Sequence, residues 1–187
     1  LPASQLAQAL LPAALCADLL DRMEDDLLHE ACAQSAAVWD GDPTRPRGAR
    51  VALMLRELKA DRESLLTATL GDPRLRRQFD EREVGQHYGA VVARMVAELH
   101  RLNSFSETRM ALESPQQAEN LRRLLLAMVS DVRVILIKLA YRLERLRALP
   151  LVDDLAERRW IAQETLALFT PLAHRLGLGQ LKWELED

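Results

Sequence analysis

Apolar residues recur at intervals of three and four along nearly the whole chain, the spacing of a buried helix face rather than the alternation of a strand. Over residues 4–38 the pattern is carried by Leu6, Leu10, Leu15, Leu19, Leu20, Met23 and Leu27. Pro12 removes a helical hydrogen bond and collides with the preceding turn, so a boundary or kink is expected near Leu11. Gly41, Asp42, Pro43 and Pro46 are turn residues and make 39–46 a loop. Helix is predicted again over 48–58 and over 61–70, the second capped by Asp61. Gly71-Asp72-Pro73 interrupts it. Val84, Tyr88, Val91, Val92, Met95, Val96 and Leu99 then place a helix over 81–102, and the polar, aperiodic residues 103–115 read as a loop.

The longest pattern follows. Leu121, Leu124, Leu125, Met128, Val132, Ile135, Leu136, Leu139, Leu143 and Leu146 form one stripe with no Gly or Pro among them. Ser114 as N-cap and Pro115 at the first helical position give it a start, and Pro150 ends it. One helix over 116–148 would be about 50 Å long at 1.5 Å per residue and would cross the domain. Leu125, Met128, Val132, Ile135, Leu136 and Leu139 are its expected core positions. A last helix over 153–176 is expected to be broken locally by Pro171 and stopped by Gly177. The expected fold is all-α: one domain over 1–187, a helical bundle around one long central helix. The final stretch, LGQLKWELED, ends abruptly in an apolar and acidic mix and does not read as a natural terminus.

Composition agrees with this. Apolar residues make up 49% of the chain but aromatics only 4%, and Leu and Ala, which dominate, lose little on entering a helix. The net charge of −3, from 25 basic and 28 acidic residues, lacks the basic excess of a nucleic-acid-binding domain, so direct nucleic-acid binding is not expected. Arg122-Arg123 and the group Arg142, Arg145 and Arg147 read as solvated helix faces. Cys16 and Cys32 form no C-x-x-C or Cys/His cluster, which excludes a disulfide scaffold and makes the cytoplasm the expected location. The apolar stretch 9–17 has no basic residue before it, and Leu15 precedes Cys16, so a signal peptide is not expected. No apolar run approaches the roughly 18 residues of a membrane helix.

Candidate chemistry is sparse. His29, His87, His100 and His174 show no metal spacing, H-E-x-x-H is absent, and all four read as surface or boundary residues. No G-x-S-x-G or glycine-rich phosphate loop is present, and Gly177-Leu178-Gly179 is a helix stop. Glu24-Asp25-Asp26 cannot converge on a cation, because consecutive helical residues fan out by about 100°. The residues by themselves describe a helical domain without a visible catalytic constellation.

Two longer segments change this picture. Residues 117–149, QAENLRRLLLAMVSDVRVILIKLAYRLERLRAL, and residues 164–187, ETLALFTPLAHRLGLGQLKWELED, resemble hallmark stretches of the RelA/SpoT family; the second leads toward the family's synthetase domain. Weaker similarity runs from Gly41 to Leu70. The resemblance implies the all-helical HD fold. In active members it also implies Mn²⁺-dependent removal of the 3′-pyrophosphate of (p)ppGpp, with ligands from GEPYxxHP, HDVIEDT and KLADRLHN stretches.

This chain departs from each stretch. In GDPTRPR the ligand His falls at Arg47; in LGDPRLRR the His falls at Gly71 and the Asp persists as Asp72, while the acidic pair becomes Leu75 and Arg76. In KLAYRLER the metal Asp becomes Tyr141 and the later Asn becomes Arg145, and an Arg facing the guanine base falls at Val38. The resemblance therefore implies a vestigial hydrolase pocket without catalytic or metal-binding residues and with no cofactor. Its positions either fill vacated space or, through Arg47, Arg76 and Arg145, still hold an anion. The implied parent is a RelA-type GTP pyrophosphokinase of the stringent response. Its expected partners are a downstream synthetase domain and, through C-terminal regions outside this chain, the ribosome and uncharged tRNA. A working hydrolase with relocated ligands and a generic helical interaction module are the rival readings.

Overall fold

The computed structural model describes residues 25–107 and 114–186, and every regular element among them is helical. The expected kink near Leu11 and the first half of the 4–38 helix lie outside these residues. Helix α1, Asp26–Ala37, starts where Asp25 accepts the amides of Leu27 and Leu28. Helices α2, Gly48–Glu57, and α3, Arg62–Leu70, follow, the latter capped by Asp61 as the sequence predicts. Every residue of α3 from Ser64 to Leu70 is buried. It packs on α1, on α2, and on two later helices: α5, Ala90–Glu107, and α7, Val132–Arg147. The central helix is thus this 9-residue segment and not the longest one.

Two predicted helices are divided. The helix expected over 81–102 becomes α4, Glu81–Tyr88, and α5. Gly89 separates them at φ 101°, ψ 149°, a conformation open essentially to glycine alone. The helix expected over 116–148 becomes α6, Pro115–Ala127, and α7. Glu98 of α5 is 3% exposed and accepts both the amide and the hydroxyl of Ser130, at 3.1 and 2.6 Å. Asp131 then caps α7 through the Arg133 amide. Side-chain acceptors thus take the backbone donor that a continuous helix would use. Leu125, Ile135 and Leu139 are buried as expected, Met128 and Leu136 only partly. Val132, at the start of α7, is 60% exposed, against expectation.

The C-terminal run is α8, Leu155–Glu164, a π turn over Thr165–Phe169, and α9, Thr170–Arg175, after a 3₁₀ turn at Leu149–Leu151. The α-helical ladder is interrupted just before Pro171, as expected, without the run ending. Lacking an amide hydrogen, Pro171 cannot pair with the carbonyl four residues back, that of Ala167. Arg122 donates to that carbonyl at 2.9 Å, and the Thr170 amide reaches five residues back to Thr165. Arg122 is therefore a working donor rather than part of a solvated face. Gly177 stops the run at φ 71°, and α10, Gly179–Glu186, closes the described chain. No helix among the described residues is long and apolar enough to cross a membrane.

Candidate functional site

The three stretches that resemble family ligand motifs meet at the C-terminal end of α3. Asp72 lies in the turn after it and is 1% exposed. One carboxylate oxygen accepts from the Gly48 amide at 2.9 Å and from the Ser35 hydroxyl at 3.4 Å. The other accepts from the Arg74 amide at 3.0 Å and the Arg74 guanidinium at 3.3 Å. Arg74 also donates to Asp40 at 2.9 Å and to the carbonyls of Pro46 and Asp42 at 3.0 and 3.2 Å. Its guanidinium and that of Arg47 lie over the Trp39 ring, 4.8 and 4.2 Å from the centroid, where a cation is attracted by the ring's electron-rich face. Arg47, the residue before α2, is only 5% exposed.

Tyr141 of α7 is buried and donates its hydroxyl to the Ala68 carbonyl at 2.6 Å. Burial first, and then the Asp72 charge, pushes that hydroxyl well above its ordinary pKa, so it is a neutral donor. At Gly71 any Cβ would collide with Leu99 Cδ2 and sit 2.7 Å from the Thr67 carbonyl oxygen. A histidine at position 71 therefore has no room in this packing.

Arg47, Gly71, Asp72 and Tyr141 thus gather around one helix end. Leu75, buried, and Val38 line a neighbouring cavity. Arg76 is exposed within charge range of His100, while Arg145, one turn beyond Tyr141, pairs with Glu157 at 3.2 Å and lies 5.7 Å from the Trp160 ring. Arg142, expected on a solvated face, is instead 4% exposed and paired with Glu164.

Arg74, Trp39 and Ser35 escaped the sequence reading. Two acidic residues in the 39–46 loop, with an arginine-rich turn after Asp72, are the one signal that pointed to them. His100, expected at a surface or boundary, is buried on α5. Its ring meets Phe79 edge-on at 5.0 Å, and its Nε2 has no hydrogen-bond partner. Burial, reinforced by Arg76, lowers its pKa from 6.5 to about 4. A histidine depressed in the folded state contributes stability that is fully present above its unfolded pKa and is lost as pH falls through 6.5 toward 4. The loss approaches about 3 kcal/mol, at about 1.4 kcal/mol per pKa unit. Urea unfolding of the native chain and of His100→Phe across pH 4–7 should show the variant losing less stability over that range. Parallel profiles would refute the assignment.

Among the described residues, no three His, Cys, Asp or Glu side chains are placed to hold a metal ion. The HD domain family profile matches residues 25–179. The chain is 38% identical to a Myxococcus xanthus protein named GTP pyrophosphokinase, over 87% of this chain and 22% of that one. It is 37% identical to the bifunctional (p)ppGpp synthase/hydrolase SpoT of Escherichia coli K12, over 98% and 25%. A protein of Aquifex aeolicus named guanosine-3′,5′-bis(diphosphate) 3′-pyrophosphohydrolase matches at 36%, over 79% and 20%. The chain belongs to the HD-domain family, in its RelA/SpoT branch. It spans a quarter or less of the length of these relatives.

Proposed function

We propose that this domain is a hydrolase-like HD domain that has lost metal-dependent (p)ppGpp hydrolysis and serves a scaffolding or regulatory role in a RelA-type (p)ppGpp synthetase. The observation that carries the reading is Tyr141. It occupies the position where the family places a metal-ligating Asp, and its hydroxyl is committed to the Ala68 carbonyl. The remaining residues do not fit a divalent cation, which takes several oxygen or nitrogen donors. Asp72 is the one carboxylate at these positions and both its oxygens already accept hydrogen bonds. Gly71 offers no donor atom, and Arg47 brings positive charge.

The test is direct. The domain incubated with Mn²⁺ and ppGpp should release no pyrophosphate above a blank, and elemental analysis should find no stoichiometric metal. Tyr141→Asp alone should not restore turnover, because Arg47 and Gly71 still replace both histidines. Turnover by the unmodified domain would establish instead the active hydrolase, the reading favoured by the names of several relatives.

In this proposal, pyrophosphate transfer from ATP to GTP or GDP belongs to a domain beyond this chain, and the name of the Myxococcus relative supports it. The C-terminal end offers a surface for that neighbour. A cavity of about 470 Å³ opens among Leu143, Leu146, Leu166 and Leu185, and Trp183 on α10 is 72% exposed. Coupling between domains is typically about 1–3 kcal/mol, or roughly 5- to 150-fold. Pyrophosphate transfer by the whole protein should therefore differ severalfold from that of a version beginning near Leu178. Equal rates at equal stability would leave the domain without a regulatory role.

A further inference from the structure

A second cavity, of about 530 Å³, lies between α1 and α4, on the side of α3 that carries Leu70. Its volume suits a small organic molecule. The floor is apolar, with Val38, Leu70, Leu75 and Val84. Its ring-bearing walls are Phe79, His87 and Tyr88, the last two meeting edge to face at 4.7 Å. Every formally charged side chain in the lining is a carboxylate: Glu30, Asp80 and Glu83. Asp80 is engaged as the α4 cap, and Glu30 accepts from His87 Nε2 at 2.6 Å. The Tyr88 hydroxyl accepts from Gln34 at 3.0 Å, and burial with the Glu30 charge raises its pKa to about 12.

Aromatic rings beside carboxylates, over an apolar floor, are what an organic ammonium ion requires: ring faces attract the cation, the carboxylate pairs with it, and the floor takes its hydrocarbon. The same lining disfavours a phosphorylated nucleotide, whose charges would face three carboxylates. We propose that the α1–α4 cavity binds a small primary amine carrying an aromatic or branched apolar body. The cavity shares Val38 and Leu75 with the positions where the family places its guanine-facing Arg and one of its acidic pair, so the inference rests on the loss of both groups here, and binding of GDP in the test below would point to a retained nucleotide pocket instead.

The experiment is an NMR titration of the isotope-labelled chain with 2-phenylethylamine, using neutral 2-phenylethanol and anionic 3-phenylpropanoate as isosteric controls and GDP as the nucleotide. Saturable shifts of the Tyr88, His87 and Phe79 ring signals are expected with the amine. The alcohol should bind more weakly, and the two anions should give no saturable shift. Glu30→Gln and Glu83→Gln, both partly or fully exposed, should each weaken amine binding about threefold, as expected for a solvent-accessible ion pair, and their melting curves check that the fold is kept. Equal binding of alcohol and amine would reduce the cavity to an apolar hole and overturn the proposal. Preferred binding of 3-phenylpropanoate or GDP, or no saturable shift with the amine, would overturn it too.

Discussion

Glu164→Ala is expected to destabilise the chain by about 3–5 kcal/mol, the range for breaking a buried ion pair from one side. Glu164 and Arg142 are 6% and 4% exposed and pair directly. The Arg142 guanidinium also lies 4.1 Å from the centre of the Phe169 ring, in the π turn. Burial pulls the Arg142 pKa down and the Glu164 charge opposes that pull. Without the carboxylate, the arginine keeps its desolvation and loses its counter-ion; its Nη1 already lacks a partner. Ring attraction alone, about 0.5–2 kcal/mol, does not offset that. Replacing both partners, as Arg142→Met with Glu164→Leu, should recover most of the loss, because no charge then needs a partner. Urea unfolding at pH 7 measures both. A single-variant loss under about 1 kcal/mol would show that solvent reaches Arg142.

Asp72→Ala should produce a loss of similar size, about 3–5 kcal/mol. Its carboxylate joins four groups from three parts of the chain: the Ser35 hydroxyl, the Gly48 amide, and the amide and guanidinium of Arg74. Removing it strands buried donors, each costing about 1–3 kcal/mol, and releases Arg74 from the contacts that fix the 39–46 loop. Asp72→Asn keeps the shape but not the charge, so an intermediate loss is expected. Metal content measured alongside should not change in either variant if Asp72 serves packing alone. Mn²⁺ bound by the native chain and lost in Asp72→Asn would return the residue to catalysis.

Capping residues carried most of what was legible in advance. Asp61, Ser114-Pro115 and Gly177 mark helix ends through local chemistry that tertiary packing leaves alone. The breaks at Gly89 and Ser130 were hidden because apolar spacing continues across them: helices on both sides bury into one core, and periodicity reports burial rather than continuity. The acceptor that divides the longest pattern, Glu98, comes from another helix some thirty residues away, and no local reading contains it. At the site, the positions of Arg47, Gly71, Asp72 and Tyr141 were legible only through family resemblance. That resemblance did not show Arg74 threading the loop, since two of its partners are the backbone carbonyls of Pro46 and Asp42, which carry no side-chain signature, and its loop carboxylate, Asp40, is remote in sequence.

The bond from the Gly48 amide to Asp72 bears on how the molecule exchanges hydrogen with solvent. Amides at the start of a helix have no partner within it and ordinarily exchange quickly by local fraying. Gly48 opens α2, yet its N–H ends on a carboxylate that is 1% exposed and fixed to the turn after α3. Deuterium can enter there only when two helices separate. The first amide of α2 should therefore exchange on the slow timescale of the central amides of α3, and Asp72→Asn should speed both together.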